Sequence, residues 1–249
     1  GGSQTYAGGS YFQNTAAVRF TGIKTNVSTL TNGVTIKYNT IKNIYMSYTG
    51  STLLDHSFTG IYPDSGYSII EYNTIGNTSG YTNSIVTESR GMVCGIFCEA
   101  IYTTYIRNNT VCYIDQQNDG NTASDKVKLR GIRYANKIGS LNGTIYIQNN
   151  TVHHLKSKGR IPFSDGTIYG LVYCDTSRGK GVISGNTVYE LSCYNTAGTN
   201  VYMAGIEIDE DTYDVDVYNN KIYDLYNFNS TDPMVGGVIM HADFRPTIS

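Results

Sequence analysis

The amino-acid sequence predicts an all-β fold, a right-handed parallel β-helix of six to seven coils with about 35 residues per coil. Three observations support this prediction. The 249 residues include 23 Tyr and 27 Gly but no Trp, and only 15% are charged, which is typical of chains rich in strands and turns. A motif centred on asparagine occurs six times at a nearly constant spacing. A second motif, centred on glycine, alternates with it along the chain.

The asparagine motif appears as IKYNTIKNI, IEYNTIGNT, IRNNTVCYI, IQNNTVHHL, ISGNTVYEL and VYNNKIYDL. Its shared residues are Asn39, Asn73, Asn109, Asn150, Asn186 and Asn220, which lie 34, 36, 41, 36 and 34 residues apart. Apolar residues lie three positions before and two after each asparagine, and also five after, except at Thr78. This spacing predicts two short strands joined at the asparagine, because a bend resets the alternation of side chains. A helix is the competing interpretation, but the Asn-Thr pairs and β-branched residues favour strands.

The recurring asparagine is predicted to be structural. Asparagine tolerates left-handed backbone angles and its side chain bonds nearby backbone groups, so it suits a sharp bend. In successive coils the six amides are expected to bond one another as an asparagine ladder facing the interior. His153 and His154 follow Asn150 at positions that carry Lys, Asn, Gly, Cys, Tyr or Glu in four of the other copies. Positions that accept all these residue types are predicted to belong to the scaffold rather than to a ligand site.

The glycine motif predicts the remaining strand of each coil. Its anchor residues are Ala17, Gly60, Gly95, Gly131, Gly170, Gly205 and Gly237. An apolar residue follows each anchor directly, and most copies have another two positions further on, which is the alternation of a strand. A coil is therefore strand, loop, strand, asparagine bend, strand and loop. Stacking of coils at about 4.8 Å buries the inner faces together, and the right hand follows from the preference for right-handed parallel connections.

The domain organisation is predicted to be simple. Residues 16–249 form one β-helix domain, preceded by a Gly- and Tyr-rich segment, residues 1–15. Neither end carries an obvious amphipathic helix that would cap the stack. The chain is therefore expected either to be a piece of a longer solenoid or to associate head to tail with further copies. In the second case the segment Thr5–Asn14 is a candidate strand between subunits.

The repeats resemble a known class of proteins. The form G-I-Y with I-x-N-N-T-I-Y-x-L at this spacing is similar to the right-handed β-helix repeat regions of large secreted surface proteins of Bacteroidota and related bacteria. The resemblance covers Ala16 to about Met240. It implies an extracellular or cell-surface protein with a repetitive or adhesive role.

Composition argues against several classes of partner. The net charge of −2 and pI near 6.1 provide no field that would attract nucleic acid or anionic lipid. No run of 18 apolar residues is present, so membrane insertion as a helix is not expected. The five cysteines form no C-x-x-C pair and are predicted to be structural or incidental, and no cofactor is expected.

Candidate catalytic and metal residues are sparse. Polysaccharide cleavage needs carboxylates grouped on one outer face, but the column of Lys37, Glu71 and Arg107 alternates in charge and predicts ion pairs instead. No catalytic residue is therefore assigned. The acidic stretch Glu207–Asp216 offers a candidate Ca²⁺ site at Asp209, Asp211 and Asp214, although the D-x-D-x-D-G loop pattern is absent.

Outward-facing apolar side chains predict a contact surface. Its members are Tyr62, Phe97, Ile69, Tyr105 and Tyr146. If uncovered, these side chains would stack on sugar rings or pack on a neighbouring subunit; the alternative is that loops fold back over them. The leading hypothesis is an extracellular structural protein that stacks end to end into a fibre or forms part of a surface adhesin. The alternative is a polysaccharide-binding or depolymerising module.

Overall fold

Three parallel β-sheets wind around one apolar core in the computed structural model of the protein. The structure describes residues 17–27, 33–48, 54–82, 84–100, 102–118, 127–135, 143–158, 167–174, 179–194, 201–209, 214–228, 234–240 and 247–248. Within these ranges every regular element is a strand and every pairing between strands is parallel. The predicted parallel β-helix is confirmed. The segment Thr5–Asn14 lies outside the described residues.

Each of the first six coils contributes one level to each sheet, and the seventh has described strands in sheets 1 and 2. Sheet 1 consists of β1 (Phe20–Thr25), β5 (Leu54–Pro63), β9 (Gly91–Cys98), β12 (Leu129–Ala135), β15 (Ile168–Cys174), β18 (Tyr202–Ile208) and β21 (Met234–Met240). Sheet 2 consists of β2 (Gly33–Lys37), β6 (Tyr67–Glu71), β10 (Thr104–Arg107), β13 (Thr144–Gln148), β16 (Lys180–Ser184), β19 (Asp214–Tyr218) and β22 (Thr247–Ile248). Sheet 3 consists of β3 (Thr40–Ile41), β4 (Ile44–Met46), β7 (Thr74–Ile75), β8 (Ile85–Thr87), β11 (Thr110–Gln116), β14 (Thr151–Ser157), β17 (Thr187–Cys193) and β20 (Lys221–Asn227).

The register keeps equivalent residues above one another. Ile106, for example, pairs with Ile70 in the coil before it and with Ile147 in the coil after it. The apolar residues predicted to face inward before each asparagine are all buried. Because the same side chain recurs at each level, the core is a set of continuous aliphatic columns that are buried only when coils stack.

The glycine anchors lie where sheets 1 and 3 approach each other. A Cβ on Gly131 would lie 2.4 Å from Val152 Cγ1 and 2.5 Å from the carbonyl oxygen of Gly170, so no side chain fits. The prediction of Ala17 as the first anchor was wrong. Phe20 pairs with Phe58, which aligns Gly22 with Gly60. The stretch AAVRF has the spacing of the motif, but its last residue and the following TGIKT form the strand.

The bend at the asparagine motif is made by a different residue from the one predicted. The left-handed residue stands directly before the shared asparagine in every coil. These residues are Tyr38, Tyr72, Asn108, Asn149, Gly185 and Asn219, with φ between 53° and 67°. A second left-handed position occurs four residues after the asparagine at Asn43, Tyr113, His154, Glu190 and Asp224. The shared asparagine itself is therefore selected for its side chain rather than for its backbone.

The second coil carries an insertion in sheet 3. Thr78, which breaks the apolar pattern, is exposed, and the chain rejoins the sheet at Ile85. Ile85 pairs with Ile44 and Ile114 and so takes the inward position. The insertion thus leaves the core column intact.

The described residues contain no helix with the length and apolarity needed to cross a membrane.

Candidate functional site

The shared asparagines bond one another directly through the interior of the bend. The Nδ2 of Asn109 donates to Oδ1 of Asn150 at 3.0 Å, and the backbone N–H of Asn109 donates to the same oxygen at 3.0 Å. The same Nδ2 also donates to the carbonyl oxygen of Ile70 at 2.8 Å. The equivalent amide-to-amide bonds join Asn39 to Asn73, Asn73 to Asn109, Asn150 to Asn186 and Asn186 to Asn220, at 2.9–3.0 Å.

This bonding explains why asparagine, and not aspartate or threonine, occupies the position. Each interior side chain must accept two hydrogen bonds at its oxygen and donate from its nitrogen, in a space that excludes water. Only a primary amide on a short side chain supplies both functions. We refer to these residues as the asparagine column.

The outer face of sheet 2 carries the predicted ion pairs. Glu71 is buried, its carboxylate lies 2.8 Å from Nζ of Lys37, and Nε of Arg107 contacts its other oxygen. Burial alone would raise the pKa of Glu71, but the hydrogen bonds from Lys37 and Arg107 outweigh it and lower the pKa. The guanidinium of Arg107 also lies over the ring of Tyr105, which stacks on Tyr146 at 4.8 Å between centroids. The charges of Lys37, Glu71 and Arg107 are therefore paired with one another along the stack.

The predicted contact surface is only partly exposed. Phe97 is 2% exposed, so its assignment to an open surface was wrong. Its ring is covered by His56, with centroids 4.5 Å apart, by Tyr62 at 5.1 Å, and by the guanidinium of Arg133 at 5.3 Å. Tyr62, Ile69, Tyr105 and Tyr146 are half-buried. Burial raises the pKa of Tyr62, and the hydrogen bond from its hydroxyl to Glu99 raises it further.

The acidic stretch near the last coils is divided between two environments. Glu207 is buried on sheet 1; burial lowers the pKa of the neighbouring Arg130, and the charge of Glu207 opposes that shift. The guanidinium of Arg130 lies 4.1 Å from the ring centroid of Tyr169. Asp216 pairs with Lys180 at 2.9 Å. These contacts make Glu207 and Asp216 structural residues.

The candidate Ca²⁺ site stays a prediction. Asp211 lies outside the described residues, whereas Asp209 and Asp214 lie inside them. Within the described part of the chain, no group of three His, Cys, Asp or Glu side chains is placed to hold a metal ion.

The outer face of sheet 3 holds a cluster of histidine and tyrosine rings. His153 stacks on Tyr189 with centroids 4.7 Å apart, and Tyr189 stacks on Tyr223 at 5.0 Å. His154 stacks on Tyr113 at 4.2 Å and lies 2.7 Å from the carboxylate of Glu190. The Nδ1 atoms of the two histidines are 2.7 Å apart, so one donates to the other. The cluster supports the prediction that the two histidines belong to the scaffold, because both rings stack on tyrosines of neighbouring coils.

Two tyrosine hydroxyls form hydrogen bonds between coils that are not adjacent. The hydroxyl of Tyr81, from the insertion in the second coil, donates to the carbonyl oxygen of His154 in the fourth at 2.8 Å. The hydroxyl of Tyr194 in the fifth coil donates to Oδ1 of Asp115 in the third at 2.6 Å. Sequence reasoning missed both residues, because neither occupies a position of the repeat.

Acidification is expected to weaken the fold through His153. Burial, and secondarily the charge of His154, lowers the pKa of His153 to about 4. Between its unfolded pKa near 6.5 and about 4, only the unfolded chain takes up this proton, so stability is lost as the pH falls. We expect the free energy of unfolding to drop by about 2 kcal/mol from pH 7 to pH 4.5. Urea titrations at each pH measure this.

His153→Tyr is the control for this titration. Tyr189 and Tyr223 occupy the same position in the next two coils, so a tyrosine keeps the stack without titrating in this range. If the variant loses as much stability as the parent over the same pH interval, His153 is not the responsible group.

The five cysteines are thiols and form no disulfide with one another, and four of them, Cys94, Cys98, Cys112 and Cys193, are buried. Burial raises the pKa of Cys94, Cys98 and Cys112 to about 12. The reactive thiolate is therefore nearly absent at neutral pH.

A thiol-specific reagent is expected to separate these cysteines by reactivity. In the folded protein at pH 8, Cys174, which is only half-buried, reacts within minutes and the other four react at least 100-fold more slowly. In denaturant all five react together. Rapid labelling of two or more thiols in the folded protein would contradict the burial.

Comparison with protein-family models, with curated proteins and with solved structures finds no match.

Proposed function

We propose that the protein is a non-catalytic structural β-helix that stacks end to end into a fibre, or forms part of a surface adhesin, outside the cell or at its surface. The observation that carries the proposal is the state of the core columns at the two ends of the stack. Among the described residues, the columns that are fully buried in the middle coils are less well covered at the first and last levels of sheet 1.

At the last level of sheet 1 two inward-facing valines are exposed. Val235 and Val238 are 43% and 36% exposed, whereas their pairing partners Met203 and Ile206 are fully buried. At the first level Phe20 and Ile23 are only partly buried. Phe20 and Val235 belong to one column, and Ile23 and Val238 to another. A further copy laid on the stack would therefore match apolar residues with apolar residues, which favours self-association over other partners.

The remaining polar groups support a scaffold rather than a catalyst. Glu71, Asp216 and Glu190 each pair with a basic side chain of a neighbouring coil. The amides of the asparagine column likewise hydrogen-bond one another, and we propose that this column keeps the stack of coils rigid.

Stacking is tested by electron microscopy and sedimentation at micromolar concentration. We expect filaments, and we expect Val238→Glu to abolish them because a carboxylate would be buried at each joint. The matched control is Thr78→Glu, which places the same charge on the exposed insertion of the second coil and not on an end of the stack. A native protein that sediments as a monomer, or equal loss of filaments in both variants, would contradict the proposal.

A second candidate function is contact with a polysaccharide. Tyr223, Tyr226 and Phe228 are exposed near the open end of sheet 3, and the rings of Tyr226 and Phe228 stack at 6.0 Å. Glu190 and Asp224 lie in the neighbouring outward column, so ring faces and hydrogen-bond acceptors occur together. A screen of neutral and acidic glycans, with Tyr226→Ala as the weakened variant, tests this function. Absence of both binding and chain scission would remove it.

A further inference from the structure

Two exposed tyrosines stand on a backbone conformation that tyrosine does not favour. Tyr38 and Tyr72 are 75% and 48% exposed, and their rings stack with centroids 5.2 Å apart. Both residues are left-handed, with φ of 57° and 55°. The other members of this column are Asn and Gly, which adopt such angles at little cost, namely Asn108, Asn149, Gly185 and Asn219. The bend therefore does not require tyrosine in the first two coils.

The core does not require these tyrosines either. The neighbouring Asn39 and Asn73 already join the two levels through their amides at 2.9 Å, whereas the tyrosine rings lie outside the bend. Residues kept on an unfavourable backbone occur mostly where the side chain is used. We refer to Tyr38 and Tyr72 as the tyrosine ridge.

Cationic side chains flank the ridge on both sides. Lys37 directly precedes Tyr38, and its Nζ lies 2.8 Å from one carboxylate oxygen of Glu71, while Nε of Arg107 contacts the other. Glu71 is buried, but the side chains of Lys37 and Arg107 are 35% and 40% exposed. Lys42, on the sheet 3 side of the ridge, is exposed as well. The surface therefore presents positive charge, since the neutralising carboxylate lies beneath it.

The local charge is opposite in sign to that of the chain as a whole. Residues 33–46, 67–78 and 104–114 form the bend and its flanking strands in the first three coils, and they contain three basic residues against one carboxylate. The whole chain carries a net charge of −2. An acidic ligand is therefore attracted to this part of the surface although the chain as a whole is acidic.

We propose that the tyrosine ridge binds an acidic polysaccharide whose carboxylates contact Lys37, Lys42 and Arg107, an inference that deepens the polysaccharide contact put forward above and rests on it. The two tyrosines are one level apart, about 4.8 Å, and Lys37 and Arg107 are two levels apart, about 10 Å. A chain lying along the stack axis thus meets two rings in succession, with a cation near each end of the pair. A polymer with acidic groups on its successive sugars matches this order.

The ring arrangement favours a sugar polymer over a nucleic acid. Bases bind aromatic side chains by stacking on ring faces. The facing surfaces of Tyr38 and Tyr72 cover each other, which leaves their edges and hydroxyls for hydrogen bonds with sugar hydroxyls. Thr40, two residues after Tyr38, is also exposed and adds a further hydroxyl.

The first test measures binding of a fluorescently labelled oligosaccharide of uronic acids by anisotropy. The matched probe is the same oligosaccharide with its carboxylates reduced to primary alcohols. We expect saturable binding of the acidic probe that weakens as salt is added, and we expect the reduced probe to bind at least about tenfold more weakly. Equal binding of the two probes would overturn the proposal, because the cations would then play no part.

The second test replaces the ridge with the residue that the same column carries in other coils. The double variant Tyr38→Asn with Tyr72→Asn keeps the left-handed bend, so we expect no loss of stability in urea but binding at least about tenfold weaker than in the parent. Lys42→Gln is expected to weaken binding about threefold, and Lys221→Gln, at an exposed lysine of β20, is the matched control without effect. A double variant that binds as tightly as the parent would overturn the assignment of the site.

The outcomes separate this site from the polysaccharide contact itself. If Tyr226→Ala weakens binding and the double ridge variant does not, or if the parent binds neutral glycans only, the site on the ridge is removed and a polysaccharide contact remains. If the parent binds no glycan, acidic or neutral, both are removed. If an oligonucleotide with the same number of charges binds as tightly as the acidic probe, the choice of a polysaccharide as ligand is wrong.

Discussion

Asn109→Leu is expected to destabilise the fold by about 4 kcal/mol, enough to unfold much of the population at 37 °C if overall stability is ordinary. Leucine has a similar volume but neither accepts nor donates. The backbone N–H and Nδ2 of Asn73 lose their acceptor, and the carbonyl oxygen of Ile70 loses a donor, all in a buried bend. Each buried polar group left unpaired costs about 1–3 kcal/mol. Urea denaturation followed by circular dichroism measures the loss.

Asn108→Gly is the matched control for this column. Asn108 is the neighbouring residue, adopts φ of 56°, and bonds the next coil through its backbone N–H rather than its side chain. Glycine accepts this backbone, so we expect a change within about 0.5 kcal/mol. A loss at Asn109 as small as the loss at Asn108 would show that the amide bonds do not stabilise the stack.

Gly131→Ala is expected to cost about 3 kcal/mol, a large effect for a single methyl group. The new Cβ would lie 2.4 Å from Val152 Cγ1 and 2.5 Å from the carbonyl oxygen of Gly170. The valine can yield, but the carbonyl belongs to the backbone of β15, which is fixed on either side by the pairing of Tyr169 with Arg130 and of Leu171 with Ile132. The double variant with Val152→Ala should therefore recover only part of the loss, which thermal unfolding of the single and double variants will show.

Gly237→Ala is the comparison for the anchor column. It occupies the same column, but a Cβ there meets nothing within 4 Å. We expect its stability to match the parent within about 0.5 kcal/mol when monomers are compared. If both alanines destabilise equally, the cost comes from the strand backbone and not from the close approach of sheets 1 and 3.

The fold could be predicted from the sequence because every coil repeats the same constraints. The inward positions around Asn150 and Gly131 admit only apolar or very small residues, and six or seven copies average out local exceptions. The errors occurred where one copy had to be judged alone. Ala17 imitates an anchor by spacing, and only the pairing of Phe20 with Phe58 identifies Gly22 instead.

The surface could not be predicted in the same way. Alternation shows that Phe97 and Glu207 point outward from sheet 1, but not that neighbouring side chains cover them. Covering depends on contacts between residues of different coils, such as His56 with Phe97, whose positions follow no period. The left-handed backbone of the residue before each asparagine could not be predicted from the sequence either, because Tyr38 and Tyr72 are not residues that favour that conformation.

The hydrogen bonds of Tyr81 and Tyr194 should change the order in which the coils unfold. A solenoid in which each coil touches only its neighbours loses coils one at a time from the ends, since its cooperativity is that of a one-dimensional chain. Tyr81 joins the second coil to the fourth, and Tyr194 joins the fifth to the third. The third coil and the fourth coil are therefore each spanned by one of these hydrogen bonds, which must break when that coil unfolds. We expect amide hydrogens of these four coils to exchange together in one slow unit, while the first and last coils fray independently.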